Sequence, residues 1–160
     1  MNPIILLDVD GVLNLVVRTV VGGDRPEPSL HDARLALVRR LARCGRIAWV
    51  STWPADLLAD LESQLHLDVT PLRVTLTMRV GDGDERTPKL RSVVRWLTRM
   101  DAIGEADWDA VVWVDDVLGP DVQDWAHESR VPVHLVKPSP EEGLTQEQVA
   151  SVESLTGGGR

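Results

Sequence analysis

An α/β fold with a mostly parallel sheet follows from three observations on this 160-residue chain. Short, almost uninterrupted apolar runs recur along it, segments of helical periodicity lie between them, and acidic or hydroxyl residues stand directly behind several of the runs. Strands that alternate with helices need crossover connections, which set neighbouring strands parallel and cover both faces of the sheet. Apolar runs without in/out alternation are what burial on both faces requires.

Residues 4–7, all Ile or Leu, read as the first strand. The β-branched stretch 12–21, closed by Gly22-Gly23-Asp24, reads as a small hairpin flap over that strand's end. A helix is predicted over 30–44, with Leu35, Leu37, Val38 and Leu41 as its apolar face, a Ser29 to Asp32 capping pair at its start and Gly45 as its stop. Residues 46–50 form the second strand and 54–65 the second helix, followed by a weaker strand signal at 72–76. Thr87-Pro88 opens a helix over 88–100. A strand at 111–114, a short helix at 121–128, a strand at 131–136 and a helix at 146–155 complete the pattern. Residues 82–85 and 156–160 read as solvated, mobile stretches. The expectation is a single domain over residues 1–155 with a flexible tail at 156–160, and no internal repeat.

A hydrophobic content of 43% with 26% charged residues is that of a soluble globular domain, large enough to bury a core without staples. No apolar run approaches the ~20 residues of a membrane helix. The first residues pass straight into strand pattern without the basic segment and long apolar core of a secretory signal, so the cytoplasm is the expected compartment, with no membrane partner. Cys44 is the only cysteine, which excludes an internal disulfide and a thiolate metal cluster; near a helix end it reads as a small buried residue. The net charge of −8 argues against indiscriminate nucleic-acid binding, although local basic stripes can still meet a phosphate backbone.

The chemistry gathers behind the strands. Asp8 and Asp10 emerge after the first one, where open α/β sheets carry their sites, and Gly11 frees the backbone to bend away. Such a pair binds a hard cation or divides nucleophile and proton-shuttle roles, though Asp is also a common loop starter. Ser51 follows the second strand as a phosphate donor or a plain cap for the next helix. Lys89 lies just inside a predicted helix, against the macrodipole, which calls for an anionic partner; the plainer reading is a solvated lysine. Asp115 and Asp116 follow another buried strand. Two charges about 4 Å apart repel by roughly 4 kcal/mol at an effective dielectric near 20. Four carboxylates therefore imply a cation, and an all-oxygen set without nearby Cys or His favours Mg²⁺ over zinc.

The order Asp-x-Asp-Gly, then Ser51 after a strand, Lys89 at a helix start and Asp115-Asp116 after a strand resembles the haloacid dehalogenase (HAD) superfamily of phosphohydrolases. Two-component receiver domains share the Asp, Ser/Thr and Lys, but their acidic pair comes early, not late. Residues 7–14, 49–53 and 113–116 and the late Gly143-Leu144-Thr145 look like the small HAD domains of bacterial Swiss Army knife RNA-repair proteins. The resemblance implies a HAD-like Rossmannoid three-layer sandwich. The intervals between its motifs are short, which implies a minimal, capless form with only the flap after the first strand.

By the same resemblance, Asp8 attacks phosphorus to form an aspartyl-phosphate and Asp10 protonates the leaving oxygen and then activates water. Ser51 and Lys89 hold the phosphoryl oxygens. Asp8, the Asp10 backbone carbonyl and Asp115 bind Mg²⁺, with Asp116 acting directly or through water. Gly11, Thr52 and Trp53 are further substrate-contact candidates, Trp53 as a stacking surface for a base. Arg91, Arg95 and Arg99 recur every four residues beyond Lys89 and read either as a guide for a polyanion or as a solvated helix face. Trp49 and Trp113, two residues ahead of Ser51 and Asp115, read as core beneath the site. The four histidines, His31, His66, His127 and His134, show no ligand spacing. The expected activity is a phosphomonoesterase acting on a nucleic-acid end, RNA or DNA, or on a nucleotide. A small-metabolite phosphatase and a non-catalytic phosphate-binding or regulatory module stand as alternatives.

Overall fold

Apolar runs that carry no polar face can be accommodated only where both sides of a strand are covered, and that requirement orders the molecule. The computed structural model describes residues 1–13, 32–77 and 87–157. The chain runs β1 (Pro3–Leu7), α1 (Asp32–Cys44), β2 (Arg46–Trp49), α2 (Ala55–Leu65), β3 (Leu72–Arg73), α3 (Leu90–Ala102), β4 (Ala110–Val114), α4 (Pro120–Glu128), β5 (Val133–Val136) and α5 (Gln146–Thr156). The sheet order is β3-β2-β1-β4-β5 and every pairing between these strands is parallel, so the expected mostly parallel sheet is wholly so among the described residues. Every residue of β1 and β4, the strands richest in Ile, Leu and Val, is buried. In β5, at an edge, only Val136 is.

Alternate side chains along each strand feed two separate cores. Ile5, Leu7, Ile47 and Trp49 face one side, where α1, α2 and α5 deliver Val38, Leu41, Leu61, Leu65, Val149 and Val152. Ile4, Leu6, Ala48 and Trp113 face the other, covered by Val93 of α3 and Val122 of α4. The result is the three-layer α/β sandwich expected. Trp49 and Trp113 are core residues, as read from their spacing, but on opposite faces. Cys44 is buried at the end of α1. Gly45 behind it is required by a close approach: a Cβ there would lie 2.0 Å from the Pro3 carbonyl oxygen.

The helix boundaries differ slightly from those the pattern suggests. Pro88 and Lys89 form a turn ahead of α3, which starts at Leu90. α5 begins with a capping box between Thr145 and Gln148 and extends through Thr156, which is buried and donates its hydroxyl to the Val152 carbonyl. The flap beyond Leu13, the Ser29 cap, the stretch 82–85 and residues 158–160 lie outside the described residues. No helix among those described is long and apolar enough to cross a membrane.

Candidate active site

Register places the chemistry. Leu7 is paired with Trp49 on one side and Val114 on the other, so β2, β1 and β4 end at one level. The backbone ladder continues past each end: Val50 N donates to the Leu7 carbonyl (2.9 Å), Asp8 N to that of Val114 (3.1 Å) and Asp115 N to that of Val136 (3.1 Å). Asp8, Ser51 and Asp115 are thereby fixed along the carboxyl edge of the sheet.

Asp8 and Asp115 are both buried, and Lys89 reaches in from the turn before α3 to join them. Its Nζ lies 2.9 Å from Asp8 Oδ1 and 3.1 Å from Asp115 Oδ2, and donates to the Val50 carbonyl at 3.0 Å. Three acceptors match the three hydrogens of an ammonium. A solvated lysine is therefore ruled out, and two carboxylates supply the anionic partners that a cation near a helix start calls for. Asp8 Oδ1 also accepts from Val9 N (2.8 Å), and Asp115 Oδ1 from Val117 N (3.0 Å). Asp116 completes the group: oxygens of Asp8, Asp115 and Asp116 lie within 4.8 Å of one another. Gly11 makes room for it. Its φ of +76° suits glycine, and a Cβ would sit 2.3 Å from Asp116 Oδ2.

Three clustered carboxylates, two of them paired with one ammonium, leave two negative charges when all are ionised. Desolvation and then repulsion from Asp115 push the Asp8 carboxyl up to about 7, against the pull of Lys89. Desolvation raises Asp115 as well, opposed by Lys89. Burial works against the Lys89 charge, but Asp115 and Asp8 outweigh it and hold the ammonium above its ordinary range. A compact, all-carboxylate donor set with this excess charge fits a hard divalent cation such as Mg²⁺.

Asp10 stands apart. Its carboxylate is exposed and accepts a hydrogen bond from the Trp53 indole, Nε1 to Oδ1 at 2.8 Å. Ser51 Oγ accepts from Trp53 N at 3.1 Å, while α2 takes no side-chain cap, so Ser51 shapes the loop and is not a helix cap. Thr52 is exposed on the same loop and Trp53 is half-buried.

The family model described as "HAD domain in Swiss Army Knife RNA repair proteins" matches residues 4–149. The chain belongs to this HAD family. No curated protein and no solved structure matches it.

Within the HAD domain the structure also shows contacts around the site that the sequence does not announce. Thr87, buried ahead of Lys89, donates its backbone N–H to Asp121 Oδ2 (2.8 Å) and its hydroxyl to Asp121 Oδ1 (2.9 Å), and accepts from Gly119 N (2.8 Å). Leu144 of the Gly143-Leu144-Thr145 stretch donates its N–H to the Val12 carbonyl (2.8 Å), and Arg34 ties the Leu13 and Glu142 carbonyls, so the loops after β1 and before α5 are joined. No local signal announces these contacts, which span from 21 to 132 positions of sequence. Arg91, Arg95 and Arg99 are exposed along α3, Arg95 with a bond to Thr77 Oγ1 at 3.2 Å.

Proposed function

We propose that this HAD domain is a Mg²⁺-dependent phosphomonoesterase working through an aspartyl-phosphate on Asp8. The observation that carries the reading is Asp8 itself: a buried carboxylate at a strand end, oriented by Lys89 and Val9 N beside Asp115 and Asp116. Asp8, Asp115 and Asp116, with the Asp10 backbone carbonyl as a further donor, would hold Mg²⁺, which would supply charge neutralisation for the phosphoryl group.

An oxygen of Asp8 attacks phosphorus and the bond to the ester oxygen breaks, while the Asp10 carboxyl passes its proton to the departing alcohol. Asp10 then takes a proton from water as the water attacks phosphorus, releasing phosphate and restoring Asp8. The Trp53 indole orients Asp10 for both transfers. Ser51, which accepts from Trp53 N, keeps its own hydroxyl hydrogen for a phosphoryl oxygen. Lys89 balances charge that spreads over those oxygens in the transition state. The different settings of the two acids, one buried against a lysine and one exposed to an indole, suit their different roles.

The substrate class we infer is a phosphorylated nucleic-acid end or nucleotide. The family's occurrence in RNA repair proteins supports it, as does the exposed arginine series on α3, whose helix begins beside Lys89. The test is phosphate release from 3′- and 5′-phosphorylated oligonucleotides, nucleotides and sugar phosphates, with Mg²⁺ and with EDTA. Turnover abolished by EDTA and fastest on oligonucleotide ends is expected. Faster turnover of sugar phosphates would overturn the polynucleotide substrate, and phosphate binding without turnover would make the domain a recognition module.

A further inference from the structure

We propose that Thr87 and Asp121 form a clamp that positions Lys89 for catalysis; the proposal rests on the phosphohydrolase reading above. Lys89 hangs from a turn two residues beyond Thr87, and nothing in that turn's own sequence prescribes where the ammonium must point. The placement comes from across the fold. Asp121, in the first turn of α4, holds Thr87 through both carboxylate oxygens, one on the backbone N–H and one on the hydroxyl. The Thr87 hydroxyl oxygen takes the Gly119 N–H in turn, and Asp121 Oδ1 takes Val122 N at 3.0 Å. Thr87 is 5% exposed, so its side of these part-buried bonds is withdrawn from water.

Both ends of this clamp lead to the site. On one side Thr87 precedes Lys89, with Leu90 N bonded to the Thr87 carbonyl at 3.1 Å and Val93 N to that of Lys89 at 3.0 Å. On the other, Gly119 and Asp121 close the loop that begins at Asp115 and Asp116. The clamp thus joins the segment carrying the ammonium to the segment carrying two of the three carboxylates around it. Displacing a positioned group by about 1 Å costs roughly a hundredfold in rate. A hydroxyl held by one acceptor and one donor fixes the turn more tightly than packing alone, because hydrogen bonds are directional.

The chain makes the test direct, since Lys89 and Lys137 are its two lysines. Protein labelled with ¹³C-lysine gives two side-chain Cε signals, which Lys89→Met assigns; Lys137 is exposed and serves as the solvated reference. Thr87→Val should move the Lys89 signal toward that of Lys137 and lower kcat roughly 10- to 100-fold with KM nearly unchanged, and Thr87→Ser should restore both. Asp121→Asn, which retains the shape of the side chain, should reproduce the Thr87→Val result and provides the second route if that variant does not fold. A Lys89 signal unmoved in these variants overturns the clamp, whatever the rate does. A moved signal with unchanged kcat overturns its part in catalysis. If the wild-type protein hydrolyses no phosphate ester, the phosphatase reading fails separately and the lysine signal alone decides whether Thr87 positions Lys89.

Discussion

The two ends of the sheet treat charge in opposite ways. At the amino ends of β1 and β2 polar groups lie toward the surface and bind backbone. Arg39 donates to the carbonyls of Leu65 (3.0 Å) and Gln64 (2.9 Å), Arg46 to that of Thr70 (3.2 Å), and the Asn2 side chain to that of Asp107 (2.9 Å). At the carboxyl ends, Asp8, Asp115 and Lys89 are withdrawn from water and bind mainly one another. The first arrangement closes a helix end and loops at little desolvation cost, each bond contributing about 1 kcal/mol. The second sets like charges together in a buried place, which works against folding and favours a cation that relieves it. One end fastens the chain; the other gathers charge that a bound cation would offset.

Lys89→Met should separate the two ends most sharply. It leaves two buried carboxylates without their cation, and we expect turnover to fall about a thousandfold and metal-free stability to fall by about 3–5 kcal/mol, read by steady-state kinetics and urea unfolding. A smaller effect follows from Asp8. Its folded-state value of about 7 lies above the ordinary 3.8, so between those values the native state keeps a proton that the unfolded chain has lost. Its contribution to metal-free stability is therefore full below pH 3.8 and declines as pH rises to about 7, and Asp8→Asn should lack that decline. Mg²⁺ affinity should rise across the same window, because binding displaces the proton. Calorimetry and thermal unfolding at several pH values check both. At the far end of the sheet, Arg39→Ala should cost about 1–2 kcal/mol through the two carbonyls it abandons and leave kcat unchanged. A loss of activity there would erase the division of labour.

The same contrast explains what could be read without coordinates. β1 and β4 were legible because strands buried on both faces admit few polar residues, and Asp8 and Asp115 because an acid directly behind such a strand is conspicuous. Lys89 is legible as a conflict with the helix dipole and by its place in the order of motifs, but its partners stand 81 and 26 positions away and meet it through the sheet register. The sequence marks Gly11 as a turn residue, and its second reason, the approach of Asp116, comes from the loop after the neighbouring strand. The Trp53 bond to Asp10 spans 43 positions and the Thr87 bond to Asp121 spans 34. Neither residue type is unusual where it stands, so only the fold makes the pairs visible. The start of α3 was misplaced by two residues because Pro88 fits a turn as readily as a first helical position.

The proposed function rests on Asp8 as the nucleophile. The most direct measurement is an acid quench of Asp10→Asn protein during turnover of an aryl phosphate with Mg²⁺, followed by peptide mass spectrometry. The aryl leaving group departs without a proton donor, while the second step is deprived of its base, so a phosphoryl group should accumulate on Asp8. A phosphoryl group on another residue, or hydrolysis that proceeds undiminished in Asp8→Asn, would contradict the account.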